Sequence, residues 1–126
     1  MSPAAFFSPS LTGSVPAIGV LLLAAPVLEE LVFRRGLHEQ LLRRWPADNG
    51  PARATHLTTL TFGLAHALTR GPALGLAVLL PAWLIGRLYQ RQRRVAGCIA
   101  VHAVFNLGWL MFGPAFLGSL HPALAS

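Results

Sequence analysis

The chain has 126 residues, 54% of them hydrophobic and only 11% charged, where a soluble domain carries roughly a quarter charged residues. That length allows one domain, and a soluble domain so small cannot bury so much apolar surface, so the composition excludes an ordinary water-soluble fold and points to the bilayer as solvent. The formal net charge of +6 comes from arginines in short clusters between apolar runs; no basic face is interleaved with aromatics, which excludes a nucleic-acid partner.

In chain order, the first twelve residues carry no positive segment, so no cleavable signal is expected. The first apolar run extends from about Val15 to Leu31, and Leu37, Leu41 and Leu42 keep an apolar stripe that predicts a helix over about 15–42. Pro46 and Asp48-Asn49-Gly50-Pro51 mark a turn. A second helix is predicted over about 54–68, a third over about 72–88 and a fourth over about 91–112, apolar from Val95 to Phe112. Each apolar run approaches the length needed to cross a hydrocarbon core, and in lipid the backbone must satisfy itself as helix. The expectation is an all-α polytopic membrane protein of about four transmembrane helices, forming a single domain over 1–126. Pro16, Pro26 and Pro81 fall within or near the ends of spans, where kinks are tolerated. Gly113–Ser126 reads as a tail too short to span. Cys98, the single cysteine, permits no internal disulfide and reads as a small core residue.

Charge predicts an orientation. The connections after the first and third spans, with their flanks, hold Arg34, Arg35, Arg43, Arg44, Arg53, Arg87, Arg91, Arg93 and Arg94, whereas only Arg70 lies between the second and third. By the positive-inside rule the arginine-rich loops are cytoplasmic and both termini lie outside. Such arginines meet lipid head groups.

Several residues do not belong in a membrane. Glu29 and Glu30 directly follow the run Leu21 to Leu28, His66 closes Phe62-Gly63-Leu64-Ala65-His66, and Asn106 follows His102 by one turn. An ionisable side chain at membrane depth is costly unless paired or hydrated, so it marks function by default. Arg34 lies four residues after Glu30 and can pair with it. At about 1.5 Å per residue, Glu29 lies about 20 Å from Arg43, His66 about 18 Å from Ala54 and His102 about 16 Å from Arg91, so three helices carry polar groups to a similar depth. Taken singly, each has a plainer reading: interfacial glutamates, packing histidines, an asparagine joining helices. His38, His56 and His121 lie near loops or interfaces and receive no role; Arg35 and Glu39 can form a surface pair of little energetic weight.

These residues resemble a known family. Glu29-Glu30-Leu31-Val32-Phe33-Arg34 matches Glu-Glu-x-x-x-Arg, Phe62 to His66 matches Phe-x-x-x-His, and His102 to Asn106 matches His-x-x-x-Asn. The ordered triple is similar to that of the CAAX-processing and bacteriocin-processing intramembrane proteases, which include prenyl-protein endopeptidases and the bacterial Abi proteins. The resemblance covers about Leu21 to Leu110 and lacks the additional spans that family members usually have before the first motif.

The resemblance implies an intramembrane endopeptidase that hydrolyses a peptide bond of a membrane-associated or prenylated-type substrate, with Glu29, Glu30, Arg34, His66, His102 and Asn106 as site residues. A carboxylate in low dielectric suits a general base, so Glu29 with His66 can activate water. Glu30 with Arg34 orients the helix; His102 and Asn106 can donate to an oxyanion. The preferred mechanism requires no cofactor. A divalent metal such as zinc, held by Glu29, His66 and His102, is the variant the ligand types allow, although His-Glu-x-x-His is absent. Expected partners are membrane lipids and a membrane-tethered peptide or protein, with oligomerisation open and the bacterial inner membrane as location. The competing expectation is a non-catalytic membrane module, an immunity or partner-binding protein keeping the motif residues for helix packing; a small transporter would carry a repeat not seen here.

Overall fold

A computed structural model describes residues 15–120, all in helices or short connections, with no strand among the described residues. The first twelve residues and His121, for which expectations were stated, lie outside the described residues, as do both ends of the chain.

The chain enters as α1 (Val15–Gly19), widens into a π-helical turn (Val20–Ala24), returns as α2 (Ala25–Glu30), widens again (Leu31–His38) and ends as α3 (Glu39–Arg44). Helical dihedrals persist at Gly19, Ala24, Ala25, Glu30, Leu31, His38 and Glu39, so residues 15–44 form one unbroken rod. The first wide turn has an identifiable cause. Pro26 has no N–H and its ring crowds the carbonyl four residues back, and a wider turn accommodates both. Along the second, Glu30, Arg34 and His38, spaced by four, share the buried face.

Trp45 leaves helical geometry, Asp48 adopts a left-handed φ of 54°, and the Gly50 N–H donates to Ala47 O at 2.9 Å. Gly50 is confined here because a Cβ would collide with the Trp45 carbonyl. Helix α4 (Gly50–Arg70) follows, longer at both ends than the apolar run suggested. Thr55, Thr58, Thr59, Thr61 and Thr69 each donate a hydroxyl to a carbonyl one turn back, which satisfies them without water. Gly71, at φ 101°, ends α4. Helices α5 (Pro72–Ala77) and α6 (Leu79–Gln92) meet at Val78, where Pro81 has no N–H to offer the Ala77 carbonyl. Arg93, left-handed at φ 54°, caps α6, and α7 (Val95–Leu120) completes the chain. This last helix runs past Gly113 and Pro114 instead of ending at Phe112, since glycine and proline are tolerated in membrane helices.

Helices α4 and α5 approach through small residues. A Cβ on Gly75 would lie 2.8 Å from Gly63 O and 2.9 Å from Ala67 Cα, the close backbone contact that small residues permit. Leu42, Ala54, Ile85, Tyr89 and Cys98 form a small core toward the arginine-rich end.

The distribution of polarity is inverted relative to a soluble protein. Glu30, Arg34, His38, Thr55, Thr58, His66 and His102 are buried, whereas Leu23, Leu28, Leu60, Leu68, Leu76, Leu80 and Phe112 are exposed. Two helical stretches, Pro72–Gln92 and Val95–Gly113, are long and apolar enough to cross a membrane.

Two expectations about the arginine-rich end are corrected. Glu39 pairs with Arg93 and Arg43 and accepts from Tyr89 Oη at 2.6 Å, instead of joining Arg35. The hydrogen bond from Arg93 is the main reason its carboxyl is held down at about 2, with Tyr89 and Arg43 adding to it against partial burial. His38 is fully buried inside the bundle, not at a loop.

Candidate active site

The rod, α4 and α7 each bring one motif to a common point. Helix α2 ends with Glu29 and Glu30 on consecutive positions, so their side chains diverge by about 100°. Glu30 turns into the packed interior and is fully buried; the Glu29 side chain remains 21% exposed at the mouth.

Glu30 organises the rear wall. Its Oε1 accepts from His102 Nδ1 at 2.7 Å, while Oε2 lies 3.3 Å from Arg34 Nε. That ion pair is fully buried, and Arg34 also donates from Nη2 to Ala82 O at 2.9 Å. A pair of charges removed from water needs such additional bonds.

Glu29 faces both histidines. Its Oε2 is 3.3 Å from His102 Nε2, and its Oε1 is 3.8 Å from His66 Nε2. His66 Nδ1 bonds to Phe62 O at 2.9 Å. A carbonyl only accepts, so Nδ1 carries the hydrogen and Nε2 of the neutral ring presents its lone pair to Glu29. Arg70, one turn beyond His66, brings Nη2 to 3.9 Å from Glu29 Oε1.

Asn106 has a different partner. Its Nδ2 donates to Leu21 O at 2.8 Å. Within the first π turn the Ala25 N–H bonds to Val20 O, and Pro26 has no N–H to offer Leu21 O. Asn106 therefore completes the rod from α7 and retains a second amide hydrogen.

Five of the six expected site residues, Glu29, Glu30, Arg34, His66 and His102, thus stand in one linked cluster, with Asn106 joined to the rod beside it. Three further residues went without a role in the sequence. Phe62 packs its ring 4.9 Å from Phe33, 4.3 Å from His66 and 5.9 Å from His102, spacing the histidines; its place in the second motif was the available signal. Arg70 and His38 could have been found by their spacing of four from His66 and Arg34.

Zinc would need its donors about 2 Å from one point. Among the described residues no group of three or more His, Cys, Asp or Glu side chains is disposed to hold a metal ion. His66 and His102 each bond through Nδ1, to the Phe62 carbonyl and to Glu30, and each turns Nε2 toward Glu29.

Residues 11–108 match the family model of the Rce1-like type II CAAX prenyl endopeptidases. The chain belongs to that family. No curated protein and no solved structure matches the chain significantly. The Rce1-like match spans all three motif segments, from the glutamate pair to Asn106. As members of a membrane-embedded protease family, Rce1-like proteins account for buried ionisable groups within an outwardly apolar bundle.

Proposed function

We propose that this chain is an intramembrane endopeptidase in which Glu29 and His66 activate water against a peptide bond of a membrane-tethered, prenylated-type substrate. The observation that carries this reading is the gap between Glu29 Oε1 and His66 Nε2, 3.8 Å across. Both are acceptors, so neither bonds to the other. A water molecule, which has two hydrogens to give, can bridge both from the side of the gap and is polarised toward attack.

On attack, the water oxygen bonds to the carbonyl carbon and one of its protons passes to Glu29. The carbonyl oxygen becomes the oxyanion, to which the imidazolium form of His102 and the second amide hydrogen of Asn106 donate; such donors are worth around 3 kcal/mol each. The C–N bond then breaks, and the proton held by Glu29 moves to the departing nitrogen. Glu30 and Arg34 hold the wall against which His102 is aligned. No step requires a metal.

The same proposal extends to topology: four membrane-crossing helices in one domain, the arginine-rich loops in the cytoplasm, both termini outside, and the bacterial inner membrane as location. Supporting it is the nine-to-one arginine asymmetry. Membrane lipids and the tethered substrate are the partners, and self-association would cover the exposed leucines.

One observation favours a second reading, a non-catalytic membrane module. Asn106 to Leu21 O, Arg34 to Ala82 O and His102 to Glu30 each join separate helices, as packing residues would. Cleavage of a panel of prenylated, membrane-tethered peptides in liposomes separates the two. Hydrolysis by the wild type, lost in folded Glu29→Gln and His66→Ala and unaffected by a chelator, is the expected result. A folded wild type that cleaves nothing would favour the module.

A further inference from the structure

Among the described residues, the buried side-chain atoms without a hydrogen-bond partner are Glu30 Oε2, Arg34 Nε, Arg34 Nη1 and His38 Nδ1. All belong to three fully buried residues spaced by four along one rod. The first two oppose each other in the 3.3 Å ion pair, a meeting of charges without an aligned hydrogen bond. The other two, Arg34 Nη1 and His38 Nδ1, have nothing.

Their chemistry is complementary. The Thr55 hydroxyl has one hydrogen, which is directed to Pro51 O at 3.1 Å or Gln90 Oε1 at 2.9 Å. Toward His38 Nε2, 3.1 Å away, Thr55 Oγ1 therefore accepts. The ring is then the Nε2–H tautomer, and Nδ1 holds a lone pair. Arg34 Nη1, by contrast, can only donate.

Both side chains also press on the same turn of α6. Arg34 Nη2 bonds to Ala82 O, and one turn later Gly86 packs closely against His38 and Thr55: a Cβ there would lie 3.6 Å from Cε1, the carbon between the ring nitrogens, and 2.9 Å from Thr55 Cγ2. The geometry points to a buried water-binding site between Arg34 Nη1 and His38 Nδ1, walled by the Ala82–Gly86 turn. Water is the ligand class that fits, because it accepts from the guanidinium and donates to the ring lone pair. An anion would meet that lone pair with its own, and an apolar group would leave both atoms unbonded. The bound water joins Arg34 to His38, Thr55, Gln90 and Arg87, making His38 a positioning residue for the Glu30–Arg34 pair. This inference does not rest on the hydrolytic reading.

The test is magic-angle-spinning NMR of the full chain, labelled with 15N-histidine, in liposomes. The expected result is one ring in the Nε2–H tautomer with Nδ1 in the hydrogen-bonded range and a magnetisation-transfer peak to slowly exchanging water. In His38→Gln, whose amide keeps the Thr55 contact and lacks the Nδ1 acceptor, those signals disappear. Should that variant not fold, subtraction through His56→Gln, His66→Gln, His102→Gln and His121→Gln assigns the ring in the native protein. A His38 ring with a bare Nδ1 and no water contact, or with a proton on Nδ1, overturns the inference.

Discussion

Asn106 and Leu21, 85 positions apart, are joined by a 2.8 Å hydrogen bond that repairs a backbone carbonyl left unserved by Pro26. Asn106→Leu removes the donor and leaves that part-buried carbonyl without this partner, which costs about 1 kcal/mol. Chemical unfolding in detergent should show a loss of about 1 kcal/mol. If Pro26→Ala first restores the missing N–H, the loss from Asn106→Leu should shrink, and an undiminished loss would break the link between the two residues.

The adjacent glutamates should respond very unequally to neutralisation. Glu30→Gln disrupts a fully buried ion pair, for which removal of one partner costs about 3–5 kcal/mol. Glu29, at the open mouth with contacts of 3.3–3.9 Å, should tolerate Gln with a change below about 1 kcal/mol. Unfolding curves for the two variants, measured side by side, check the contrast.

Small residues hold α4 against α5. Gly75→Val forces a side chain into the backbone of Gly63 and Ala67, and overpacking of this kind costs about 1–3 kcal/mol. Gly19→Val, where a Cβ meets nothing within 4 Å, is the control. Similar melting points for both variants would contradict the tight contact.

At the arginine-rich end, Glu39 titrates near 2 in the folded protein against 4.5 for the free side chain. A folded value below the unfolded one means the contribution is complete above about pH 4.5 and disappears as pH falls toward about 2. The stability difference between wild type and Glu39→Gln should stay flat from neutral pH to about 5 and close below it. A difference that widened on acidification would reverse the sign.

Much of the site was legible because lipid makes polar residues conspicuous. Glu29, Glu30, His66 and His102 stood out in apolar runs, and counting rise per residue brought them to one depth. The helical class followed from the same solvent argument. The two π turns were not legible, since a wide turn depends on which carbonyl goes unpaired and on a distant side chain, Asn106, that serves it. His38 was misread for a related reason: Arg35, Glu39 and Arg43 surround it in sequence and suggest a wet surface, while its own spacing of four from Arg34 turns it inward. Arg70 counted only as a charge in a loop, and its approach to Glu29 is a tertiary fact.

The placement of Glu29 and Glu30 on consecutive residues has a consequence for how the site can change. Two identical carboxyl groups hold different stations only because one peptide unit rotates them apart, so their duties are assigned by phase, not by chemistry. Inserting a single residue just upstream, anywhere between Pro26 and Glu29, would carry Glu29 into the buried station and bring Phe33, not Arg34, to the place one turn beyond it. The rod is thus indexed like a dial, and substitutions can vary along it far more freely than its length can.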